Sequence, residues 1–326
     1  MMPIFETLRG RCGYSQNPLN PPPAEMGQQV LVVEVTTGCN HNRCTFCDLY
    51  KNVRYQERSP KEIKAHVDNV IGFYRDRNLL PPRRIYLAGG NALAARTATL
   101  SFASEYALEQ LYKYSGKIPT RVAIYGNTNS IIDKTVPDMS CLARGEGLPV
   151  IPFVGKKRIK LVYWGVESGS SEVLEIAEKG YGKNEISRAA SILKISSMES
   201  SVMIMPGLGG KSLWELHVAE TIEVLNMIRP RWITFMDLEI RPNTPYQRWI
   251  VSEERNHRNR RLTPSEMLLQ TSQIIEGLNF QTTVGIYGSD VLYIGAGPVS
   301  IGNTEINGTT PAKKLASTLK CRSGLT

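Results

Sequence analysis

Apolar residues recur along this chain in two rhythms, and the alternation between them predicts a parallel α/β fold. Short runs that are apolar at nearly every position read as strands covered on both faces. They are Val30 to Val35, Arg84 to Ala88, Arg121 to Tyr125, Lys160 to Val166, Ser201 to Met205 and Trp232 to Asp237. Between them, apolar positions three and four residues apart read as amphipathic helices. The clearest begins at Ser59-Pro60-Lys61-Glu62, where Ser59 can cap, Pro60 suits the first turn and Glu62 completes a capping box. Its apolar stripe is Ile63, Val67, Val70, Ile71 and Tyr74. A box of Ser212 with Glu215 introduces another helix, and Thr263-Pro264-Ser265-Glu266 a third. Six βα repeats joined by right-handed crossovers make one parallel sheet. An open doubly wound sheet and a partial barrel both satisfy that count.

The ends of the chain break the rhythm. Asn17-Pro18-Leu19-Asn20-Pro21-Pro22-Pro23 cannot sustain a helix or a central strand, so residues 1–29 read as an extended N-terminal arm. Residues 30–250 carry the repeats, and residues 251–326 form a C-terminal helix and an extension covering them. Past residue 280 the pattern fades into Gly- and Thr-rich sequence.

Composition narrows the class. The 326 residues are 41% hydrophobic and 21% charged, which suits a globular protein with a sizeable core. No apolar run approaches the roughly 20 residues that span a bilayer, and Met1 to Gly13 lacks the apolar core of a signal peptide. Six cysteines, three of them clustered, do not make a disulfide framework in a chain this long, so a reducing cytoplasm is the expected compartment. The net charge of +9 owes much to Lys156-Lys157-Arg158 with Lys160 and to Arg255, Arg258, Arg260 and Arg261. Such runs are most often solvated surface; an anionic substrate or a nucleic acid is the alternative.

The chemistry concentrates in Thr36-Thr37-Gly38-Cys39-Asn40-His41-Asn42-Arg43-Cys44-Thr45-Phe46-Cys47, directly after the first strand. Thiolates are soft ligands that select iron–sulfur clusters or zinc over magnesium or calcium. Three of them leave one metal corner open, at the end of a buried strand where α/β barrels keep their active sites. Further polar motifs close later strands: Ala88-Gly89-Gly90-Asn91, Asn127-Thr128-Asn129, Gly165-Val166-Glu167-Ser168-Gly169 and Pro242-Asn243-Thr244-Pro245.

In that order, these motifs resemble the radical S-adenosylmethionine (SAM) superfamily, near the branch of oxygen-independent coproporphyrinogen oxidase and the elongator-type enzymes. The resemblance spans about residues 30–250. It implies a partial (β/α)6 TIM-like barrel and a [4Fe–4S] cluster held by Cys39, Cys44 and Cys47. It further implies SAM on the fourth iron, reduced by a donor such as flavodoxin or ferredoxin to release a 5′-deoxyadenosyl radical. Phe46 would screen the cluster and adenine from water. Gly89, Gly90 and Asn91 would contact the methionine amino group, Asn91 replacing the usual acid with a neutral carbonyl. Asn127 and Thr128 would meet the methionine moiety, and Glu167 with Ser168 the ribose side, where a carboxylate suits a diol. The chain departs from the family's three-then-two cysteine spacing, having four residues in the first gap. A similar Gly-Cys-x-His-Asn-x-Cys-Thr-Phe-Cys segment followed by Tyr-Lys occurs in a subset of the superfamily, and Tyr50-Lys51 stand in that place here.

Each motif has a plainer reading. His41 could join the three cysteines in a closed Cys3His zinc site, making a non-catalytic binding protein. Gly207-Leu208-Gly209-Gly210-Lys211-Ser212 invites a phosphate-loop reading, but Met205 stands where that motif needs glycine. Gly295-Ala296-Gly297 is a still weaker dinucleotide signal, and Cys12, Cys141 and Cys321 read as isolated thiols. Asp237, Glu239 and Arg241 alternate and are candidates for substrate contact, or for a structural ion pair. The expectation is a small-molecule substrate, with an anionic group an open option, ahead of tRNA or another nucleic acid.

Overall fold

The computed structural model describes residues 4–19, 21–25, 29–145, 158–287 and 320. Lys156, Lys157, Gly295-Ala296-Gly297 and Cys321 lie outside the described residues. The chain divides into two compact units. The first comprises Met1–Asn42, Leu49–Tyr163 and Ser191–Glu199, the second Arg43–Asp48, Trp164–Ala190 and Ser200–Thr326.

The first unit opens with α1 (Ile4–Thr7) and contains β1 (Val30–Glu34) and a short antiparallel ribbon of β2 (Thr36–Thr37) with β3 (Gln56–Glu57). It continues through α2 (Pro60–Asp76), β4 (Arg84–Ala88), α3 (Thr97–Ser115), β5 (Arg121–Asn127), α4 (Thr128–Ile132), α5 (Val136–Arg144) and the first half of β6 (Ile159–Glu167). The second unit holds the rest of β6, then α6 (Ser171–Ile176), most of α7 (Lys183–Ile195), all but the first residue of β7 (Glu199–Ile204), α8 (Trp214–Ile228), β8 (Trp232–Met236), α9 (Pro245–Arg255), α10 (Pro264–Glu276) and β9 (Thr283–Tyr287).

Among the described residues, the main sheet has seven strands in the order β1-β4-β5-β6-β7-β8-β9, and the pairs β1–β4, β4–β5, β7–β8 and β8–β9 are parallel. Each new strand is laid beside the previous one, always on the same side. A doubly wound sheet reverses direction at a switch point; this one has none, which selects the barrel-type winding. Six strands stand within a residue or two of their expected places. The seventh, β9, falls where the sequence pattern fades.

Local chemistry explains the elements. The Ser59–Glu62 box caps α2, whose buried face is Ile63, Val67, Val70, Ile71 and Tyr74, with His66 added. Thr263 and Glu266 cap α10 in the same way. The box expected at Ser212 does not form: residues 211–213 are a turn, and α8 starts at Trp214 with no side-chain cap. The arm is not extended throughout. It makes helical turns at α1 and at Pro23–Glu25, and it buries Phe5, Leu8, Tyr14 and Leu19.

Two buried carboxylates organise the first unit. Glu25 accepts from Arg121 and from Tyr163 Oη (2.8 Å), and it lies 3.7 Å from Arg84. Arg84 and Arg121 open β4 and β5, so charge pairing closes that end of the sheet. At the other end of β1, Glu34 accepts from Arg58 (2.5 Å), Ser15 Oγ (2.5 Å) and the Ser15 amide (2.7 Å).

Candidate functional site

The cysteine loop is supported in two stretches of different chemistry. In the first unit, the amide of Gly90 donates to the carbonyl of Gly38 (3.0 Å). A Cβ at Gly90 would stand 2.5 Å from that oxygen and 3.0 Å from Cys39 Cβ, and one at Gly89 would collide with Thr36. The two glycines therefore let β4's end approach the cysteine loop itself. Gly89, at φ +149°, also uses a backbone conformation that side chains resist.

Asn91 extends this support. Its Nδ2 donates to Asn40 Oδ1 (2.6 Å), while its Oδ1 accepts from the Asn127 amide (3.2 Å) and Ser130 Oγ (3.2 Å). The side chain is buried, and its carbonyl is engaged within the protein. Asn91 thereby ties the cysteine loop to the end of β5. Asn127 in turn caps α4, its Oδ1 accepting from the Ser130 amide (2.8 Å); Thr128 is fully buried beside it.

The longer first gap has a structural account. Asn42 adopts φ +45°, a left-handed kink that asparagine tolerates better than most residues. Its Nδ2 donates to the carbonyl of Tyr50 (2.7 Å), and Lys51 Nζ donates to its carbonyl (2.9 Å). The Asn42 and Tyr50-Lys51 elements are one hydrogen-bonded unit.

In the second unit, Cys44 and Cys47 bracket a turn in which the Cys47 amide donates to the Cys44 carbonyl (3.3 Å). Thr45 fastens this turn. Its amide and Oγ1 donate to the carbonyls of Ala177 (3.1 Å) and Ile176 (2.8 Å), groups that the end of α6 leaves without helical partners. Its carbonyl accepts from the Tyr246 amide (3.0 Å), an orphan donor in the first turn of α9. The Pro242–Pro245 motif builds that helix start. Thr244 caps α9, Pro245 opens it, and Asn243 takes φ +61°. Phe46 packs on an apolar cluster that includes Val173, Ala177, Leu208, Leu238, Tyr246 and Ile250.

Glu167 ends β6 with φ +67°, unusual for a side chain of this kind, and is buried. Its Oε1 pairs with Lys179 Nζ (3.1 Å), itself buried and 5.7 Å from the ring centroids of both Phe46 and Tyr181. Ser168 is committed elsewhere, bonding His217 Nδ1 (2.8 Å) and accepting from the Ser170 amide (3.0 Å). Burial lowers the His217 pKa to about 4.

The glycine loop after β7 is not a phosphate cradle. The amides of Gly207, Leu208, Gly209, Gly210, Lys211 and Ser212 donate respectively to Gln270 Oε1, Met205 O, Tyr246 Oη, Gly207 O, Arg260 O and Asn259 Oδ1. No amide of that run is left for an anion.

The substrate candidates separate. Strand β8 ends at Met236, so Asp237, Glu239 and Arg241 lie beyond it. Glu239 and Arg241 are exposed and pair with each other (2.9 Å). Asp237 has a buried Oδ1 with no hydrogen-bond partner, and burial raises its pKa to about 6. The basic run is largely neutralised: Arg258 pairs with Glu253, Arg260 with Glu266 and Arg261 with Glu254.

All three thiols of the loop are partly exposed, as are the isolated thiols Cys12 and Cys141. Among the described residues, no three His, Cys, Asp or Glu side chains are gathered as closely as a single metal ion requires. Sequence reasoning missed Asn40, Thr45, Lys179 and Tyr246. Only Lys179, a cation beside Gly180-Tyr181 after an apolar helix face, left a visible trace.

No family profile and no curated protein matches this sequence. Among solved structures, the fold is similar to the cobalamin-dependent SAM radical enzyme OxsB bound to aqua-cobalamin and SAM. The TM-score is 0.52 at 16% identity, over 74% of this chain and 40% of that one. It is also similar to HydG, a maturase of the [FeFe]-hydrogenase, with TM-score 0.51 at 12% identity over 79% of this chain and 52% of that one. The chain thus matches about half or less of the length of these proteins. The barrel-type α/β fold expected from the sequence is the fold they share. No helix among the described residues is long and apolar enough to cross a membrane.

Proposed function

We propose that this chain is a radical SAM enzyme, in which Cys39, Cys44 and Cys47 hold a [4Fe–4S] cluster and SAM completes its open corner. The observation that carries this reading is the cysteine loop: three partly exposed thiols within nine residues, after the first strand of this fold, with the backbone anchored around each. The donor set fits. Thiolates are the cluster's ligands, and three leave one iron open. When bound, the cluster and SAM together supply one-electron cleavage of the S–C5′ bond.

The chain's own residues supply placement. Gly38, Gly90, Asn40 and Asn91 fix the backbone around Cys39, and Thr45 and Tyr246 fix the turn between Cys44 and Cys47. Phe46 brings an apolar ring, which supports its role in excluding water. Glu167 remains the candidate for the ribose hydroxyls, its carboxylate held by Lys179. Asn91, Asn127 and Ser168 act through the backbone they order, since their side-chain bonds run to the protein. A ferredoxin- or flavodoxin-type donor would supply the electron, and a small molecule the hydrogen. The nucleic-acid alternative draws less support than the charge suggested, because three arginines of its basic run already have glutamate partners.

Anaerobic reconstitution with iron and sulfide, followed by dithionite and SAM, tests the proposal. A brown protein that forms 5′-deoxyadenosine is expected, and Cys44→Ala should lose both cluster and product. A colourless protein that binds zinc stoichiometrically and yields no 5′-deoxyadenosine would overturn the reading.

A further inference from the structure

The ends of three adjacent strands form a seam in the second unit. The amide of Met205, just after β7, donates to the carbonyl of Glu167 at the end of β6 (2.9 Å). The amide of Leu238 donates to the carbonyl of Pro206 (3.0 Å), which brings the residue after Asp237 into the same seam. Ligands of parallel α/β sheets bind at these carboxyl ends of the strands. Two carboxylates stand along the seam, and their situations differ. Glu167 has the Lys179 ammonium at 3.1 Å. Asp237 has neither an ion pair nor a hydrogen bond among the described residues, and its Oδ1 is sealed from water. Arg241, the cation four residues on, is exposed and pairs with Glu239 instead (2.9 Å). Gln270 adds a second unused polar atom: its Oε1 holds the Gly207 amide (2.8 Å), while its buried Nε2 has no partner.

An uncompensated carboxylate half-buried in protein costs several kcal/mol, and such groups persist where a ligand supplies the missing partner. A neutral hydroxyl would satisfy the lone pairs but leave the charge. An anion would add repulsion. We infer that Asp237 receives a positively charged nitrogen of the substrate, so that the substrate is an amine or guanidine, not the anionic molecule that the basic composition leaves open. The inference rests on the radical SAM reading for what happens to that substrate, and on the geometry of the seam for its charge.

The test follows the Asp237 carboxyl carbon by NMR in the cluster-reconstituted protein labelled at aspartate, the signal being assigned by its loss in Asp237→Asn. The probes are n-butylammonium, 1-butanol and butyrate, matched in length. Without probe the carboxyl should titrate near the raised value of about 6 that burial gives it. Saturating n-butylammonium should lower that midpoint at least tenfold in proton affinity, and Asp237→Asn should bind n-butylammonium at least tenfold more weakly while keeping the parent circular dichroism. Butanol and butyrate should leave the midpoint in place or raise it. An unmoved midpoint with n-butylammonium, or an equal downward shift with butanol, overturns the inference. The same preparation is assayed for 5′-deoxyadenosine, which separates the two readings. Product without an ammonium response sinks only the charge assignment, and an ammonium response without cluster or product sinks only the radical SAM reading.

Discussion

The two stretches of the cysteine loop are held by opposite strategies. Around Cys39 the support is close backbone approach and neutral amides: Gly90 against Gly38, then Asn40, Asn91, Asn127 and Ser130 in sequence. Around Cys44 and Cys47 it is two helix ends, the last carbonyls of α6 and the first amides of α9, closed on Thr45, with Phe46 in an apolar cluster and a buried ion pair at the end of β6. The first stretch is built on absence of volume, the second on unused hydrogen-bonding capacity. A fold built on absent volume fails when an atom is added. One built on helix termini fails gradually, since water can replace each lost bond.

The largest effect should therefore come from Gly90→Ala. The new methyl would meet the Gly38 carbonyl and the Cys39 Cβ, neither of which is the end of a flexible side chain. Overpacking of this kind costs about 1–3 kcal/mol, and here the strain falls on a ligand. Iron and sulfide per chain after reconstitution should fall by an order of magnitude. Thr45→Val removes one bond from Oγ1 to the Ile176 carbonyl and keeps the shape, a loss of about 1 kcal/mol. That variant should retain its cluster and lose only thermal stability. Equal losses of iron in the two variants would erase the contrast.

These cases show what a sequence displays and what it hides. Gly89-Gly90 is conspicuous because glycine at a strand end has few other uses, and the structure shows one of them, close approach to the cysteine loop. Thr45 and Tyr246 were invisible: a threonine between cysteines and a tyrosine after a proline look ordinary until the chain brings helix ends to them. The barrel-type winding was open because strand runs give number and not order. β9 was missed since Thr283–Tyr287 lies at the edge of the sheet and carries a weaker apolar signal than the central strands. The opposite error occurred at Ser212, where a capping-box sequence spends its backbone amide on Asn259 and the helix starts later.

A second contrast lies in how each unit responds to acid. His66 in the first unit accepts from the Glu34 amide at Nε2 (3.2 Å) and bonds the Cys12 carbonyl at Nδ1 (2.7 Å), and burial lowers its pKa to about 4. His217 in the second unit is lowered to about 4 by burial alone, with Nε2 unpartnered. A histidine whose folded pKa lies below its unfolded value of 6.5 binds fewer protons in the native state between those values. Its stabilising contribution is complete above pH 6.5 and is lost as pH falls toward 4. Each shift is worth about 3 kcal/mol at most. Asp237 has the reverse sign, because its folded pKa is raised from 3.8 to about 6: stability falls as pH rises through that window, and Asp237→Asn should be more stable than the parent only above it. Urea midpoints between pH 4.5 and pH 8 should thus rise with pH in His66→Gln less steeply than in the parent. Parallel curves would remove His66 from the account.

The smallest expected effect bears on the longer gap, and it separates conformation from hydrogen bonding. Asn42 contributes a left-handed residue at φ +45° and a side-chain bond to the Tyr50 carbonyl. Asn42→Gly keeps the conformation at little steric cost and loses the bond. Asn42→Ala loses the bond and also strains the kink, by about 1 kcal/mol more. If the kink is what lets four residues fit between Cys39 and Cys44, the glycine variant should assemble as much cluster as the parent, and the alanine variant measurably less. If the tie to Tyr50 is what matters, both should lose cluster to the same degree. The ratio of iron bound by the two variants decides between a loop shaped by its own backbone and one shaped by Tyr50-Lys51. A glycine variant indistinguishable from the parent would extend to this residue the rule seen at Gly90: the first stretch of the loop depends on what the backbone can adopt, and side-chain bonds refine it.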